Sequence, residues 1–313
     1  MPLKRRMLLR SAVGVISPLL LLSLADCAGR SRSSTVSAEP SDESSAGEEP
    51  PSMSTPQHGG STPIPTDGAL GTLVEGTMVD RGFVVDDLLQ GSPASDIHFS
   101  LHVPDSYDGD TPFALYVACP GWGGGLWFQG VGAHLGEDFA FVANDYVPDM
   151  IIASPQLEDW GETSARQCIA LTRWLMSAYN IDASRVYLSG YSGGGETISL
   201  VMGLEPALYR RALHLCSQWD GDLDALAASR VPMRMSTGAN DDYYGSAPVS
   251  RTYAQLREKY LAAGLSQEGI DELVVLDVKP DEYFEGHTDF YGEHGGGLEL
   301  FPHDAEVMGW LFQ

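Results

Sequence analysis

The segment from Arg185 to Gly195 constrains the fold of this chain more than any other stretch. Its sequence is Arg-Val-Tyr-Leu-Ser-Gly-Tyr-Ser-Gly-Gly-Gly, so a run of β-forming residues stops at a glycine, turns around Ser192 and leaves through three more glycines. Apolar residues then recur at helical spacing, at Ile198, Val201 and Met202. A strand, a sharp turn and a helix in this order predict a turn that projects the serine hydroxyl clear of a sheet, as a nucleophile requires. The alternative is a plain glycine-rich loop with an exposed serine.

The start of the chain predicts an export signal. Lys4, Arg5 and Arg6 precede an apolar run over residues 12–24, which is too short for a typical membrane-spanning helix. The segment from Arg5 to Arg10 also resembles a twin-arginine signal. We therefore expect the mature protein to act outside the cytoplasm.

Cys27 is the candidate end of this signal. Leu24-Ala25-Asp26-Cys27 looks like a bacterial lipobox, in which the cysteine is lipidated, although Asp26 stands where a small residue is expected. Membrane attachment through a lipidated Cys27 and simple cleavage after Ala25 are the two alternatives, so we expect a cell-envelope lipoprotein or a secreted protein.

Composition then divides the chain into three parts. Residues 28–67 are mostly Ser, Pro, Glu, Gly and Thr, and a segment with so few large apolar residues predicts a disordered tether. The sequence thus predicts a signal over 1–27, a tether over 28–67 and a catalytic domain over 68–313.

The net negative charge of the chain argues against polyanionic partners. Forty-three Asp and Glu residues against 18 Lys and Arg residues give a net charge of −25. Nucleic acid and bare anionic lipid surfaces are not expected partners, because phosphate binding needs clustered basic side chains. Beyond Cys27, the cysteines Cys119, Cys168 and Cys216 each lie in an apolar run and are predicted to be buried thiols.

From about residue 71, short β-like runs alternate with helical ones. The predicted strands cover residues 82–85, 97–103, 113–118, 150–154, 186–189, 212–217, 231–237 and 273–278, and the predicted helices include 162–180, 251–263 and 304–312. This alternation predicts an α/β fold with a mostly parallel, doubly wound sheet and helices on both faces. The first two strands predict an antiparallel hairpin at its N-terminal edge.

Polar and glycine-rich clusters follow several of these strands, and sites in such sheets form at the carboxyl ends of strands. Attack by Ser192 needs a general base and an orienting acid. Asp241 is the candidate acid, with its neighbour Asp242 as the alternative, because both lie in a loop after a strand downstream of the serine.

Three histidines follow the last predicted strand. His294, in Glu-His-Gly-Gly-Gly, is the candidate base because the glycines are expected to let the backbone bend and admit a substrate. His287 is the alternative, whereas His303 lies at the start of the predicted terminal helix and is expected to be structural. A metal site from His287, Asp289 and His294 matches no familiar ligand spacing, so neither a metal nor another cofactor is expected.

An oxyanion hole requires two preorganised backbone N–H groups. Gly193, directly after the candidate nucleophile, is predicted to supply one. Trp122, in the loop Cys-Pro-Gly-Trp-Gly-Gly-Gly after the strand at 113–118, is predicted to supply the other. The alternative for that loop is an ordinary sharp turn.

The run from Tyr179 to Gly194 and the order Ser192, Asp241, His294 resemble the α/β-hydrolase superfamily over about residues 71–313. The run looks like a secreted branch that contains polyhydroxybutyrate depolymerase-like and feruloyl or acetylxylan esterase-like enzymes, and also like prolyl-oligopeptidase-like hydrolases. The chain departs from the branch at Pro120, where many members carry His before Gly.

The resemblance implies an exported serine hydrolase that cleaves carboxylic esters through an acyl-enzyme. The expected partner is a small-molecule or polysaccharide-linked ester, and the sequence predicts no particular oligomeric state. A prolyl-oligopeptidase-like peptidase is one alternative. A catalytically inactive hydrolase fold that serves as a surface binding module is the other.

Overall fold

A ten-stranded sheet organises residues 70–313, which are the residues that the computed structural model describes. The predicted signal over 1–27, the predicted tether over 28–67 and the first two residues of the predicted catalytic domain lie outside them. The strands are β1 Thr72–Val74, β2 Met78–Asp80, β3 Phe83–Ser92, β4 Ser95–His102, β5 Phe113–Cys119, β6 Met150–Gln156, β7 Ile181–Tyr191, β8 Arg211–Leu215, β9 Met233–Gly238 and β10 Val274–Lys279.

The sheet has an antiparallel edge and a parallel centre. Its order is β1-β3-β4-β6-β5-β7-β8-β9-β10, and β2 pairs with β3. Pairing is antiparallel from β1 to the β4–β6 contact and parallel from β6 through to β10. The predicted fold class is therefore confirmed, including the N-terminal hairpin of β3 and β4.

Helices cover both faces of this sheet. They are α1 Ala143–Tyr146, α2 Glu162–Ala178, α3 Gly193–Leu204, α4 Leu223–Ser229, α5 Ala247–Ala262, α6 Gln267–Leu273, α7 Asp281–Phe284, α8 Glu293–Leu300 and α9 Met308–Leu311. None of these helices is long and apolar enough to span a membrane. Because both faces are covered, every residue of β5 and β6 is buried.

The hydrophobic core has one cluster on each face. Leu171 of α2, Ile198 of α3 and Leu256 of α5 belong to one cluster, while Phe139 and Leu311 belong to the other. Helices α2, α3, α5 and α9 are thus held to the sheet by buried apolar residues, which helps to fix the loops at the strand ends.

The end of the chain differs from the prediction. The expected helix over 304–312 is wrong, because a 3₁₀ turn at Phe301–His303 is followed by a helix only at Met308–Leu311. Asp304 lies between them, and its carboxylate accepts hydrogen bonds from Tyr283 and from the Glu306 amide. Such local bonding from an Asp side chain to the backbone competes with a helix.

The bend expected at the glycines after His294 is also wrong, because Glu293–Leu300 forms helix α8. Its three glycines serve close packing rather than bending. A Cβ on Gly295 would collide with the Phe290 ring, and one on Gly297 would lie 2.6 Å from Cys216 Sγ.

The prediction for the cysteines is confirmed. Cys119, Cys168 and Cys216 are buried and unpaired, and the Sγ atoms of Cys119 and Cys168 lie 3.7 Å apart. The described residues are therefore held together by packing and hydrogen bonds rather than by cross-links.

Candidate active site

Ser192 lies on the sharp turn between β7 and α3. Its backbone has φ 54° and ψ −122°, an unfavourable conformation for a residue with a side chain. Two hydrogen bonds hold it there. The Ser192 amide donates to the Leu215 carbonyl at 3.0 Å, and the Ser217 hydroxyl donates to the Ser192 carbonyl at 2.7 Å. The neighbouring strand β8 and the residues after it thus sustain the strain of the turn.

Two glycines make the turn sterically feasible. A Cβ on Gly190 would collide with the Gly194 carbonyl, and a Cβ on Gly194 would collide with the Cys119 carbonyl. Strand β7, the first turn of α3 and the end of β5 therefore approach one another at distances that only glycine allows.

His294 lies between Ser192 and Asp241. Its Nε2 atom is 3.0 Å from Ser192 Oγ, and its Nδ1 atom is 3.0 Å from Asp241 Oδ2. Asp241 follows β9 and His294 lies in the first turn of α8, so three separate elements bring these side chains together. This chain of contacts is the geometry that a nucleophile, base and orienting acid require.

The Asp241 carboxylate is buried and fully engaged. Its Oδ1 atom accepts the backbone amides of Tyr243 and Tyr244 at 3.0 and 2.9 Å. Burial acts to raise the pKa of Asp241, but the hydrogen bond and charge of His294, together with the two amides, outweigh it and hold that pKa below its usual value. Asp241 is therefore an ionised group at neutral pH.

The alternative acid and base have other partners. Asp242 is exposed and accepts the backbone amide of His294 at 3.0 Å. His287 is exposed, and its Nδ1 atom lies 3.1 Å from the Tyr283 carbonyl. His303 contacts Asp138, with 3.4 Å between Nε2 and Oδ2. Of these candidates, the structure brings only Asp241 and His294 to Ser192.

Cys216, Asp241 and His294 each offer one potential ligand atom, and these three atoms lie within 4.8 Å of one another, close enough to bind one metal ion. Burial raises the pKa of the Cys216 thiol well above its usual value, and this opposes the thiolate that a metal would need. A metal would also displace the hydrogen bond between His294 and Asp241. The donor set fits a hydrogen-bonded relay rather than a metal centre.

The two amides predicted to form the oxyanion hole, those of Gly193 and Trp122, have no acceptor within their own elements. Gly193 is the first residue of α3, and the first amides of a helix have no acceptor within it. In the loop after β5, Gly121, Gly124 and Gly125 all donate to acceptors, whereas the amides of Trp122 and Gly123 have none among residues 70–313. The loop touches the nucleophile, since a Cβ on Gly121 would lie 3.1 Å from Ser192 Cβ.

Sequence reasoning missed Trp160, which follows β6. Its ring lies across two glycines of the site, because a Cβ on Gly193 would collide with it and one on Gly125 would lie 2.6 Å from it. A signal was present, since Trp160 follows a buried strand at the same edge of the sheet as the other site residues.

Glu196, which bonds to the nearby Tyr244, was also missed. The Tyr244 hydroxyl donates to Glu196 Oε1 at 2.6 Å, and burial raises the pKa of both groups. Glu196 lies four residues after Ser192 on α3, so helical spacing places it near the nucleophile. That spacing could have identified Glu196 from the sequence.

Aromatic side chains surround the site. The exposed aromatic residues of the described part of the chain are Trp122, Trp127, Phe128, Tyr243, Phe290 and Tyr291. They lie in or next to the loop after β5, after Asp241 and before His294, and the Tyr243 ring lies 5.3 Å from the His294 ring. Among the described residues, the exposed aromatic side chains thus belong to the same three segments as the site residues, whereas exposed aliphatic side chains such as Val74, Met78 and Leu261 lie elsewhere.

Comparison with protein families gives one match. Residues 156–289 match the prolyl oligopeptidase family, a stretch that includes Ser192 and Asp241 but ends before His294. No curated protein matches the sequence.

Solved structures resemble the chain more broadly. A thermostable esterase has 19% identity and a TM-score of 0.60, over 74% of this chain and 62% of its own. Poly(aspartic acid) hydrolase-1 from Sphingomonas sp. KT-1 has 15% identity and a TM-score of 0.53, over 75% of this chain and 100% of its own. Oligopeptidase B from Leishmania major has 13% identity and a TM-score of 0.46, over 73% of this chain and 37% of its own. The chain therefore spans less than two thirds of the length of the esterase and of the oligopeptidase.

Proposed function

We propose that this chain, a serine hydrolase with the α/β-hydrolase fold, cleaves carboxylic esters through an acyl-enzyme formed on Ser192. The observation that carries the proposal is the continuous relay at 3.0 Å from Ser192 Oγ to His294 and at 3.0 Å from His294 to Asp241. A serine hydroxyl is a weak nucleophile until a base of this kind accepts its proton.

In the first step, Ser192 Oγ forms a bond to the ester carbonyl carbon while His294 Nε2 takes the hydroxyl proton. The carbonyl electron pair moves to oxygen, where the Gly193 and Trp122 amides donate hydrogen bonds, and each such donor stabilises the transition state by about 3 kcal/mol. Asp241 accepts the Nδ1–H of His294 and stabilises the imidazolium that forms.

In the second step, the oxyanion collapses and the bond to the alcohol oxygen breaks. His294 returns its proton to that oxygen, so the product leaves as a neutral alcohol and the acyl group stays on Ser192. Water then attacks the acyl carbon, gives its proton to His294, and releases the acid as Ser192 recovers its hydrogen.

Removal of the nucleophile tests this proposal. Ser192→Ala should abolish hydrolysis of p-nitrophenyl acetate and butyrate and labelling by a fluorophosphonate probe, while circular dichroism remains that of the folded protein. Ser250→Ala, on helix α5, is the matched control and should keep both activities. A wild-type protein that neither turns over esters nor takes the label would instead support the inactive binding module.

The second candidate is a peptidase, favoured by the match of residues 156–289 to the prolyl oligopeptidase family. An ester is the less demanding substrate, because nitrogen donates electrons to the carbonyl of an amide more strongly than oxygen does in an ester, and this makes the amide carbon less reactive toward Ser192. Esters and aminoacyl amides with the same acyl group separate the two functions. A kcat/KM for the amide that equals or exceeds that for the ester would favour the peptidase.

Export and attachment form part of the proposal and rest on the sequence alone. The protein acts outside the cytoplasm on a small-molecule or polysaccharide-linked ester, and it is either secreted or anchored through Cys27. Labelling with a fatty-acid analogue tests the anchor, since Cys27→Ser should remove the label and release the protein from the membrane fraction. An unlabelled wild-type protein would favour cleavage after Ala25.

A further inference from the structure

Glu137 is a buried carboxyl directly beneath the loop that carries the Trp122 amide. It follows a 3₁₀ turn at Ala133–Gly136 and is only 7% exposed. Its Oε1 atom accepts the backbone amide of Gly121 at 2.7 Å. Gly121 in turn lies against Ser192, so a single hydrogen bond separates this carboxyl from the backbone next to the nucleophile.

The bonds at Gly121 determine how the next amide is oriented. The Gly121 amide is held by Glu137, and the Gly121 carbonyl accepts the Gly125 amide at 3.0 Å. The peptide bond between Gly121 and Trp122 is trans, so its C=O and N–H point in opposite directions. Because the Gly121 carbonyl points toward the Gly125 amide, the Trp122 N–H points in the opposite direction, away from Gly125.

We propose that Glu137 is a positioning residue, which holds the Gly121 amide and thereby orients the Trp122 amide toward the substrate oxyanion. This role rests on the ester hydrolysis proposed above. Glu137 itself does not touch the substrate, and it acts through the backbone of Gly121.

The charge of Glu137 matters to this role. Burial raises its pKa to about 8, so the carboxyl is mostly protonated at neutral pH. A protonated carboxyl still accepts the Gly121 amide through its carbonyl oxygen. An ionised one would place a buried negative charge behind the amide that stabilises the oxyanion, and would oppose the charge that develops there.

Four titratable side chains face this carboxyl from the surrounding elements: Tyr116, Cys119, His134 and Tyr191. Burial raises the pKa of both tyrosines, and the hydrogen bond with Cys168 followed by burial raises that of Cys119. Burial lowers the pKa of His134 to about 4. Of these groups, Glu137 alone changes its charge near pH 8.

Glu137→Gln tests the proposal, because glutamine keeps the shape and the acceptor but never ionises. The wild type should lose kcat as the pH rises through about 8. The Gln variant should lack this alkaline limb and match the wild type within about threefold at neutral pH. Glu137→Leu removes the acceptor and should lower kcat about 10- to 100-fold with little change in KM, since the lost alignment acts in the transition state.

Asp87→Asn is the matched control. Asp87 is another buried carboxyl that accepts a glycine amide, that of Gly76 at 2.8 Å, but it lies on β3. Its replacement should leave the alkaline limb unchanged.

An alkaline limb that persists in Glu137→Gln would overturn the proposal, as would a folded Leu variant with wild-type kcat. If the Leu variant does not fold, the pH profile of the Gln variant decides. Failure of the ester hydrolysis itself would appear as a wild type no more active than Ser192→Ala, so the two failures are distinguishable.

Discussion

Ser192 lies between two structures that are held in place differently. They are the relay of His294 and Asp241 (the relay side) and the loop over residues 120–125 that carries the Trp122 amide (the oxyanion side). On the relay side, His294 is fixed at several points: Asp241 binds its ring, Asp242 accepts its amide, and its carbonyl accepts the Tyr191 hydroxyl at 2.7 Å. On the oxyanion side, Gly121 has one partner from outside its loop, the buried carboxyl of Glu137.

The difference has a physical consequence for catalysis. Proton transfer requires His294 to stay within hydrogen-bond reach of two partners, and redundant bonds secure that geometry. The oxyanion loop carries an exposed tryptophan at Trp122, 63% accessible, and it is held through its backbone, for example by Gln129 at the Trp122 carbonyl and by Gln156 at the Gly124 carbonyl. We expect substitutions on the relay side to remove the chemistry and those on the loop side to adjust its rate.

The largest effect is expected at the base. His294→Ala should lower kcat about a million-fold, because loss of either the nucleophile or the base of such a unit costs nearly as much as loss of all three members. Stopped assays with p-nitrophenyl butyrate measure it. His287→Ala is the control and should stay near the wild type. A reversal of these two results would transfer the role of base to His287.

The next effect is expected at the acid. Asp241→Asn should lower kcat about ten-thousand-fold, because an amide stabilises neither the correct tautomer nor the imidazolium of His294. Asp242→Asn changes only a contact to the backbone amide of His294 and should cost less than about tenfold. Equal losses in the two variants would contradict the assignment of Asp241.

A smaller effect is expected in the oxyanion loop. A Cβ on Gly121 would lie 2.9 Å from the Tyr191 ring and 3.1 Å from Ser192 Cβ, so Gly121→Ala should displace the loop and lower kcat about a hundred-fold. Gly123→Ala provides a control within the same loop, because a Cβ there meets nothing within 4 Å. The comparison of the two sides would be wrong if both variants kept full activity.

The smallest effects are expected in stability. The pKa of Asp241 is lowered on folding, so its contribution is present above its unfolded pKa and is lost as the pH falls through its folded value. The pKa of Glu137 is raised from 4.5 to about 8, so the folded state binds the extra proton and stability falls as the pH rises between these values.

Melting temperatures measured against pH test these opposite slopes. Glu137→Gln should reduce the loss of stability on the alkaline side by a few degrees, and Asp241→Asn should reduce the loss on the acid side. Parallel curves for the wild type and both variants would show that neither carboxyl behaves as its surroundings imply.

Much of the site could be predicted because its signals are local. Ser192 follows from the pattern of strand, glycine turn and helix, and Asp241 and His294 follow from their order after it. Strand ends at one edge of a parallel sheet converge, so residues far apart in the chain were expected to meet.

Other features depend on tertiary packing and have no local signal. Nothing in the sequence around Glu137 marks it as buried, and its partner Gly121 lies 16 positions away. The three glycines of helix α8 were expected to let the backbone bend, yet they are needed where the Phe290 ring and Cys216 pack closely against the helix.

Helix α8 has a consequence for inactivation. It has eight residues, three of them glycines that each cost about 1 kcal/mol relative to alanine, so it depends on its neighbours to stay folded. We expect hydrogen exchange to be faster in α8 than in the buried strand β7. Since α8 carries His294, heating should abolish hydrolytic activity by local unfolding of this helix at a temperature below that at which the sheet unfolds.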